Sequence, residues 1–260
     1  MSTQTKIVAF ANQKGGVGKT TTMTHLGHYV RELPGRVILV DLDPQGNATS
    51  IFTDKIEEGG LVTSDLFTRD HGGALLEVDE RLALIPADDD LADALRLDYS
   101  YAEVFRERLK KIARDWQADM IIIDTPPTLG LGVVAALVAA EFVVAPIEPA
   151  HFAVSGVNKL IKTIKDIEAS HNPDLKLIGF LINNFNRRSA NQKQHVAELQ
   201  EALGDLVAPH AIGHHAAVTD ASETTRPVWF RPNGAAARKA ATDMRGAMAW
   251  LCDAMGVKHV

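Results

Sequence analysis

The segment that most restricts the fold is Gln13-Lys14-Gly15-Gly16-Val17-Gly18-Lys19-Thr20-Thr21. It directly follows the apolar run Ile7-Val8-Ala9-Phe10 and opens a stretch with apolar residues at helical spacing. A glycine loop between a strand and a helix turns successive backbone N–H groups toward one point, and the helix adds its positive N-terminal end. Phosphate is the ligand that suits such a loop. In this pattern Lys19 reaches the outer phosphates and the Thr20 hydroxyl ligates Mg2+, so Gly15, Gly16, Val17, Gly18, Lys19, Thr20 and Thr21 are the predicted nucleotide contacts. The common pattern, G-x-x-x-x-G-K-[ST], begins with a glycine where this chain has Gln13, and Lys14 adds a second lysine at the start of the loop.

Further apolar runs recur at Val37-Ile38-Leu39-Val40, Ile121-Ile122-Ile123, Phe142-Val143-Val144-Ala145 and Leu177 to Ile182. They are continuous rather than alternating, as strands are when both faces are covered. Between them, residues 19–32, 101–116, 153–170, 191–203 and 235–255 carry apolar residues at helical spacing. The order predicts an α/β fold, a mostly parallel twisted sheet flanked by helices. Thr53 to Glu80, with Gly59-Gly60 and Gly72-Gly73 among charges, is expected to form short helices and loops. With 260 residues, 46% of them hydrophobic, one large domain over 1–260 is expected.

Two acidic segments accompany the loop. Val40-Asp41-Leu42-Asp43-Pro44-Gln45-Gly46-Asn47 puts two carboxylates and a turn at a strand's carboxyl end, where open α/β sheets bind ligands. The same carboxylates could instead cap a helix or turn before Pro44. Met120-Ile121-Ile122-Ile123-Asp124-Thr125-Pro126-Pro127 is an apolar strand ending in an acid, as the magnesium-binding strand of phosphate-loop enzymes does.

Taken in order, the three motifs resemble the ParA family of DNA- and cargo-partitioning ATPases, from about Lys6 to Met255. KGGVGKT is similar to the deviant Walker A loop of ParA, MinD and nitrogenase-iron-protein relatives, DLDPQGN to the family's first switch, DTPP to its second, and Pro146-Ile147-Glu148-Pro149 to its P-x-E-P segment. The resemblance implies a P-loop NTPase that hydrolyses ATP slowly with Mg2+ and closes into an ATP-dependent sandwich homodimer. In it Lys14 reaches the partner's nucleotide, Asp43 positions the attacking water, and Asp41 and Asp124 join Thr20 around Mg2+ or its water shell. Asn183 or Asn184 is the implied adenine contact.

Which branch of the family the chain resembles follows from what it carries. Cys252 is its one cysteine, whereas nitrogenase iron proteins bridge a cluster with two per chain. The end from Ala249 to Val260 has one lysine and one aspartate, too little positive charge for the membrane-binding helix of MinD-like proteins. The phosphate loop begins almost at the first residue, so the resemblance is to the short type without an N-terminal DNA-reading domain. That type binds nonspecific DNA through basic residues. Since the formal net charge is −6, such binding needs a local patch. Arg187, Arg188 and Lys193 are the candidates, with Arg188 similar to an arginine that ParA proteins use on DNA. A second basic group comprises Arg226, Arg231, Arg238, Lys239 and Arg245. A ParB-like or other adaptor protein that stimulates hydrolysis is implied, and no membrane. The lone cysteine and the lack of a signal-like start or of an apolar run of about 18 residues point to a cytoplasmic, nucleoid-associated protein. Around Ile212-Gly213-His214-His215-Ala216-Ala217 the family's proline and a further arginine are replaced by Gly213 and Ala217. The other readings that fit a deviant loop are a MinD-like positioning ATPase and an ATP-dependent small-molecule ligase.

Overall fold

The computed structural model describes residues 5–68, 72–149, 154–222 and 224–257, with only the backbone for the first two residues of the helix that opens at Val154. Its frame is one eight-stranded sheet. The strands are β1 (Lys6–Phe10), β2 (Val37–Asp41), β3 (Leu76–Glu77), β4 (Leu82–Ile85), β5 (Met120–Asp124), β6 (Phe142–Ile147), β7 (Lys176–Phe185) and β8 (Val207–Gly213). They lie in the order β3-β4-β2-β5-β1-β6-β7-β8, every neighbouring pair being parallel except β3 with β4.

The continuous apolar runs have a simple cause. Along β1, Ile7 and Ala9 face one buried cluster while Val8 and Phe10 face another. The first cluster is closed by α4 (Tyr101–Trp116), α5 (Leu131–Ala139) and α6 (Val154–Ser170). The second is closed by α1 (Lys19–Glu32) and α9 (Gly234–Ala254). α4 shows how a helix is recruited: Phe105, Leu109, Ala113 and Trp116 form its buried stripe, and Gln117 ends it in the left-handed region at φ 54°. Each fully buried leucine or phenylalanine of this kind stabilises the fold by about 1.5–3 kcal/mol.

The other α-helices among the described residues are α2 (Asn47–Phe52), α3 (Leu91–Ala94), α7 (Ala190–Leu203) and α8 (Ala216–Ser222). The stretch expected as short helices and loops contains a 3-10 turn at Ser64–Phe67, but it also supplies β3, the antiparallel edge strand, paired with β4 at Leu76 and Glu77. Residues 69–71 of that stretch, residue 153 of an expected helix, and the tail 258–260 lie outside the described residues. Among the described residues no helix is long and apolar enough to cross a membrane.

Candidate nucleotide site

The carboxyl ends of β1, β2 and β5 meet at one place: Phe10 is in register with Asp124, and Asp41 is also paired with Asp124. The glycine loop leaves β1 there. Asn12 anchors its start, donating from Nδ2 to the Pro146 carbonyl at 2.7 Å and accepting from the Lys14 N–H at 3.1 Å. Its end is held from below, where Asn183 of β7 donates to the Val17 carbonyl at 2.9 Å. Gly18 then caps α1 at φ 88°, and a Cβ there would lie 2.0 Å from Asn183 Nδ2. Only glycine satisfies both the backbone angle and the close approach. By contrast, a Cβ added at Gly15 or Gly16 meets nothing within 4 Å, so the loop leaves open space above it.

That space is a cleft of about 650 Å³ lined by Gly15, Gly16, Lys19, Thr20, Asp43, Gln45 and Ser222, among others. Lys19 is buried, with its amine 3.4 Å from the Lys14 carbonyl. Burial pulls its pKa down while Asp124 and Asp43 push it back up. The Thr20 hydroxyl donates to Asp124 Oδ2, whereas Asp124 Oδ1 is buried with no partner among the described residues. Burial raises the Asp124 carboxyl to about 8, with the Asp41 charge adding to the effect and Thr20 and Lys19 opposing it. An orphaned carboxylate oxygen beside a threonine hydroxyl, under an open glycine cradle and a buried lysine, fits a phosphate chain with its divalent cation.

Asp43 is buried at the edge of the same cleft. Its Oδ1 accepts from the Gln45 N–H at 3.1 Å, and its carbonyl accepts from the Gly46 N–H at 2.9 Å, so the Asp43–Gly46 turn is internally braced. Lys14, at the start of the loop, is exposed where Lys19 is buried.

Three of the predicted site residues make contacts that the sequence did not announce. Asp41, expected in the Mg2+ shell, is fully buried, with Oδ2 accepting from the Thr49 N–H and hydroxyl, each at 2.7 Å, and Oδ1 from the Asp43 N–H at 3.3 Å. It organises the turn into α2, and burial lifts its pKa to about 6. Asn183, a candidate adenine contact, lies beneath Gly18. Asn184, at φ 56°, has its amide engaged on both sides, donating to Glu148 and accepting from His214 Nδ1 at 2.6 Å.

The basic residues divide. Arg187, Arg188 and Lys193 are all exposed, but Arg187 is also tied back to the fold through the Ala211 carbonyl at 3.0 Å, Asp243 at 4.0 Å and the Phe185 ring. Their loop is shaped by Asn186, which accepts from the Arg188 N–H, and by Ser189, which caps α7. The second basic group is dispersed: Lys239 pairs with Asp243, Arg245 with Glu32, and Arg226 and Arg231 flank the Phe230 ring. At Gly213 a side chain would come within 2.6 Å of His215 Nε2 and 3.2 Å of Asp243 Oδ2, so the glycine makes room for the His215–Asp243 pair. Sequence reasoning missed Asn12, Thr49 and the buried His25 of α1, whose partners are remote in the chain or specific to the packed state.

Comparison with known proteins shows the family of the chain. The family model described as an AAA domain matches residues 5–177. Protein IncC of Escherichia coli is 37% identical over 92% of this chain and 67% of its own length. The chromosome-partitioning ATPase Soj of Thermus thermophilus is 38% identical over 77% of this chain and 78% of its own. Among solved structures, cobyrinic acid a,c-diamide synthase of Mycobacterium smegmatis with bound ADP and magnesium has a TM-score of 0.74 at 31% identity, covering 84% of this chain and 91% of that one. An ATP complex of a Cyanothece McdA variant shares the fold at a TM-score of 0.79 and 23% identity, over 99% of both chains.

Proposed function

This chain belongs to the ParA, Soj and IncC family of partitioning ATPases, and from that membership we propose that it is an ATP-driven switch that partitions or positions a plasmid, chromosome or protein cargo. The observation that carries the reading is the division of labour between two lysines of one loop: Lys19 buried beneath the cradle and Lys14 exposed at its start. An exposed lysine at the start of the loop supports a role toward a second nucleotide, as a sandwich homodimer would require.

Within one protomer the loop amides of Gly15 to Thr21 hold the phosphates, and Lys19 offsets charge on the outermost one. Thr20 and Asp124 would hold Mg2+, which would supply charge neutralisation on the phosphate oxygens. Asp41 acts at one remove, fixing through Thr49 the turn that carries Asp43. Asp43 orients the attacking water, a task that needs placement more than basicity. Arg188 and Lys193, with Arg187 between the fold and the surface, contact DNA phosphates without reading sequence. The dimer would thus sit on the nucleoid in the cytoplasm until an adaptor protein stimulates hydrolysis. The test is the ATPase rate with and without duplex DNA and the product of the adjacent gene. Stimulation by the two together supports the reading, and a rate indifferent to both contradicts it.

Similarity to the M. smegmatis synthase favours a second reading, in which ATP activates a small carboxylate. Turnover that requires a small carboxylic acid and ignores DNA would select it.

A further inference from the structure

The stretch that follows β8 runs beside α1 and is fastened to it at three heights. Nearest the phosphate loop, the hydroxyls of Thr21 and Ser222 lie 3.1 Å apart, and Ser222 also lines the nucleotide cleft. One turn further along α1, His25 bridges the two segments: Nδ1 is 2.7 Å from the Thr21 carbonyl oxygen and Nε2 is 3.1 Å from the Val228 backbone nitrogen. At the far end Trp229 Nε1 donates to Glu32 at 2.5 Å, and its ring meets those of His25 and Tyr29 edge-on at 5.5 and 6.3 Å.

The bonding partners define the state of the His25 ring. A carbonyl oxygen only accepts, so Nδ1 carries the proton. A backbone N–H only donates, so Nε2 offers its lone pair. Burial disfavours the cation and lowers the pKa to about 4, keeping the ring in this one tautomer at neutral pH. Val228 is itself buried, so removing the imidazole leaves its N–H without an acceptor until the segment opens to water.

We propose that His25 is a positioning residue for the phosphate site, joining the first turn of α1 to the segment around Val228 so that Thr20 and Thr21 are held where phosphate and Mg2+ need them. The proposal rests on the nucleotide reading. The Thr21 carbonyl belongs to the same turn as the Thr20 hydroxyl, and it accepts from both His25 and the Thr24 hydroxyl, the latter at 3.1 Å. The His25 end of this pair is in turn held from outside the helix by the Val228 N–H.

Two near-isosteric variants separate the halves of the bridge. Asparagine puts an amide nitrogen where Nδ1 stands, keeping the Thr21 bond and losing Val228. Glutamine puts an amide oxygen where Nε2 stands, keeping the Val228 bond and losing Thr21. His25→Leu loses both. The experiment measures hydrogen exchange of the peptide spanning 224–230, with and without MgATP, alongside KM and kcat for MgATP and the thermal midpoint.

In wild type, MgATP is expected to slow exchange at the Val228 amide. In His25→Gln the amide should stay protected but lose its response to MgATP, while His25→Asn should exchange fast throughout. His25→Leu should raise KM about five- to tenfold, the worth of one to two hydrogen bonds, with kcat changed less. Wild-type KM and an intact MgATP response in His25→Leu would overturn the proposal. So would variants that lower the thermal midpoint while leaving KM and the exchange response alone, which is the behaviour of a purely structural histidine. If wild type itself neither binds nor hydrolyses MgATP, the nucleotide reading fails and the proposal with it, an outcome distinct from the other two.

Discussion

Asn183 lies directly beneath Gly18: its Nδ2 donates to the Val17 carbonyl at 2.9 Å and fills the place where a Cβ on Gly18 would stand, 2.0 Å away. The phosphate loop is therefore set by a strand on the far side of β6 as much as by its own glycines. Asn183→Ala should lose about 1–2 kcal/mol of unfolding free energy, the cost of a buried carbonyl left without its donor. Gly18→Ala should lose more, because it adds a positive-φ penalty of about 1–2 kcal/mol to the clash. Urea unfolding of both variants beside wild type checks the order, and nucleotide affinity should fall in the same order.

Asp43 lines the nucleotide cleft, and its side-chain Oδ1 accepts from the Gln45 N–H of its own turn. Asp43→Ala should accordingly keep ATP binding within a few-fold and lower hydrolysis by about 100-fold or more, the usual scale for a group that acts in the transition state alone. Equilibrium binding and single-turnover hydrolysis measured on the same preparation separate the two effects.

Two arginines adjacent in sequence should behave differently. Arg187 is held by Ala211, Asp243 and Phe185, so Arg187→Ala should cost about 1 kcal/mol of stability as well as DNA affinity. Arg188 is exposed, so Arg188→Glu should remove DNA binding with the thermal midpoint unchanged. Titrations at two salt concentrations give the check: wild-type affinity should fall steeply with salt, and Arg188→Ala should flatten the slope by roughly one phosphate contact.

His28 gives a pH test that needs no ligand. Burial, with the nearby His25 and Arg31 charges, lowers its pKa to about 3 against an ordinary 6.5. The unfolded chain therefore binds a proton that the folded chain refuses between those values, and stability falls as pH drops below 6.5. The raised carboxyls of Asp41 and Asp124 act in the opposite sense, so the wild-type profile mixes both. Comparison with His28→Leu isolates the histidine: wild type should lose about 1 kcal/mol relative to the variant between pH 6 and pH 5. Urea midpoints at the two pH values measure it.

Much of the fold was legible because the signals were local. The runs at Val37 and Ile121 read as strands because both sheet faces are covered, and the helix at 101–116 read as such because its apolar stripe is narrow and regular. β8 escaped notice because Pro209 and His210 interrupt it, which an edge strand tolerates. Leu131–Ala139 was passed over because a helix that is apolar all round shows no stripe. The site divides in the same way. Lys19, Thr20, Asp43 and Asp124 lie at strand ends or in the loop and carry their chemistry in their spacing. Asn183 meets Val17 across 166 residues, and His25 meets Val228 across 203, so nothing near either residue announces the contact. Which side chain turns under the loop is decided by packing, so the Asn183 contact with Val17 could not be read from its neighbours.

The account depends most on Lys14 acting across a dimer. Sedimentation velocity of wild type and Lys14→Ala, each with ATP and Mg2+, tests it directly when paired with ATP binding on the same samples. Wild type should sediment as a dimer with ATP and as a monomer without it. Lys14→Ala should bind ATP, remain monomeric and hydrolyse none above background. A Lys14→Ala protein that dimerises with ATP and turns it over at the wild-type rate would contradict the account.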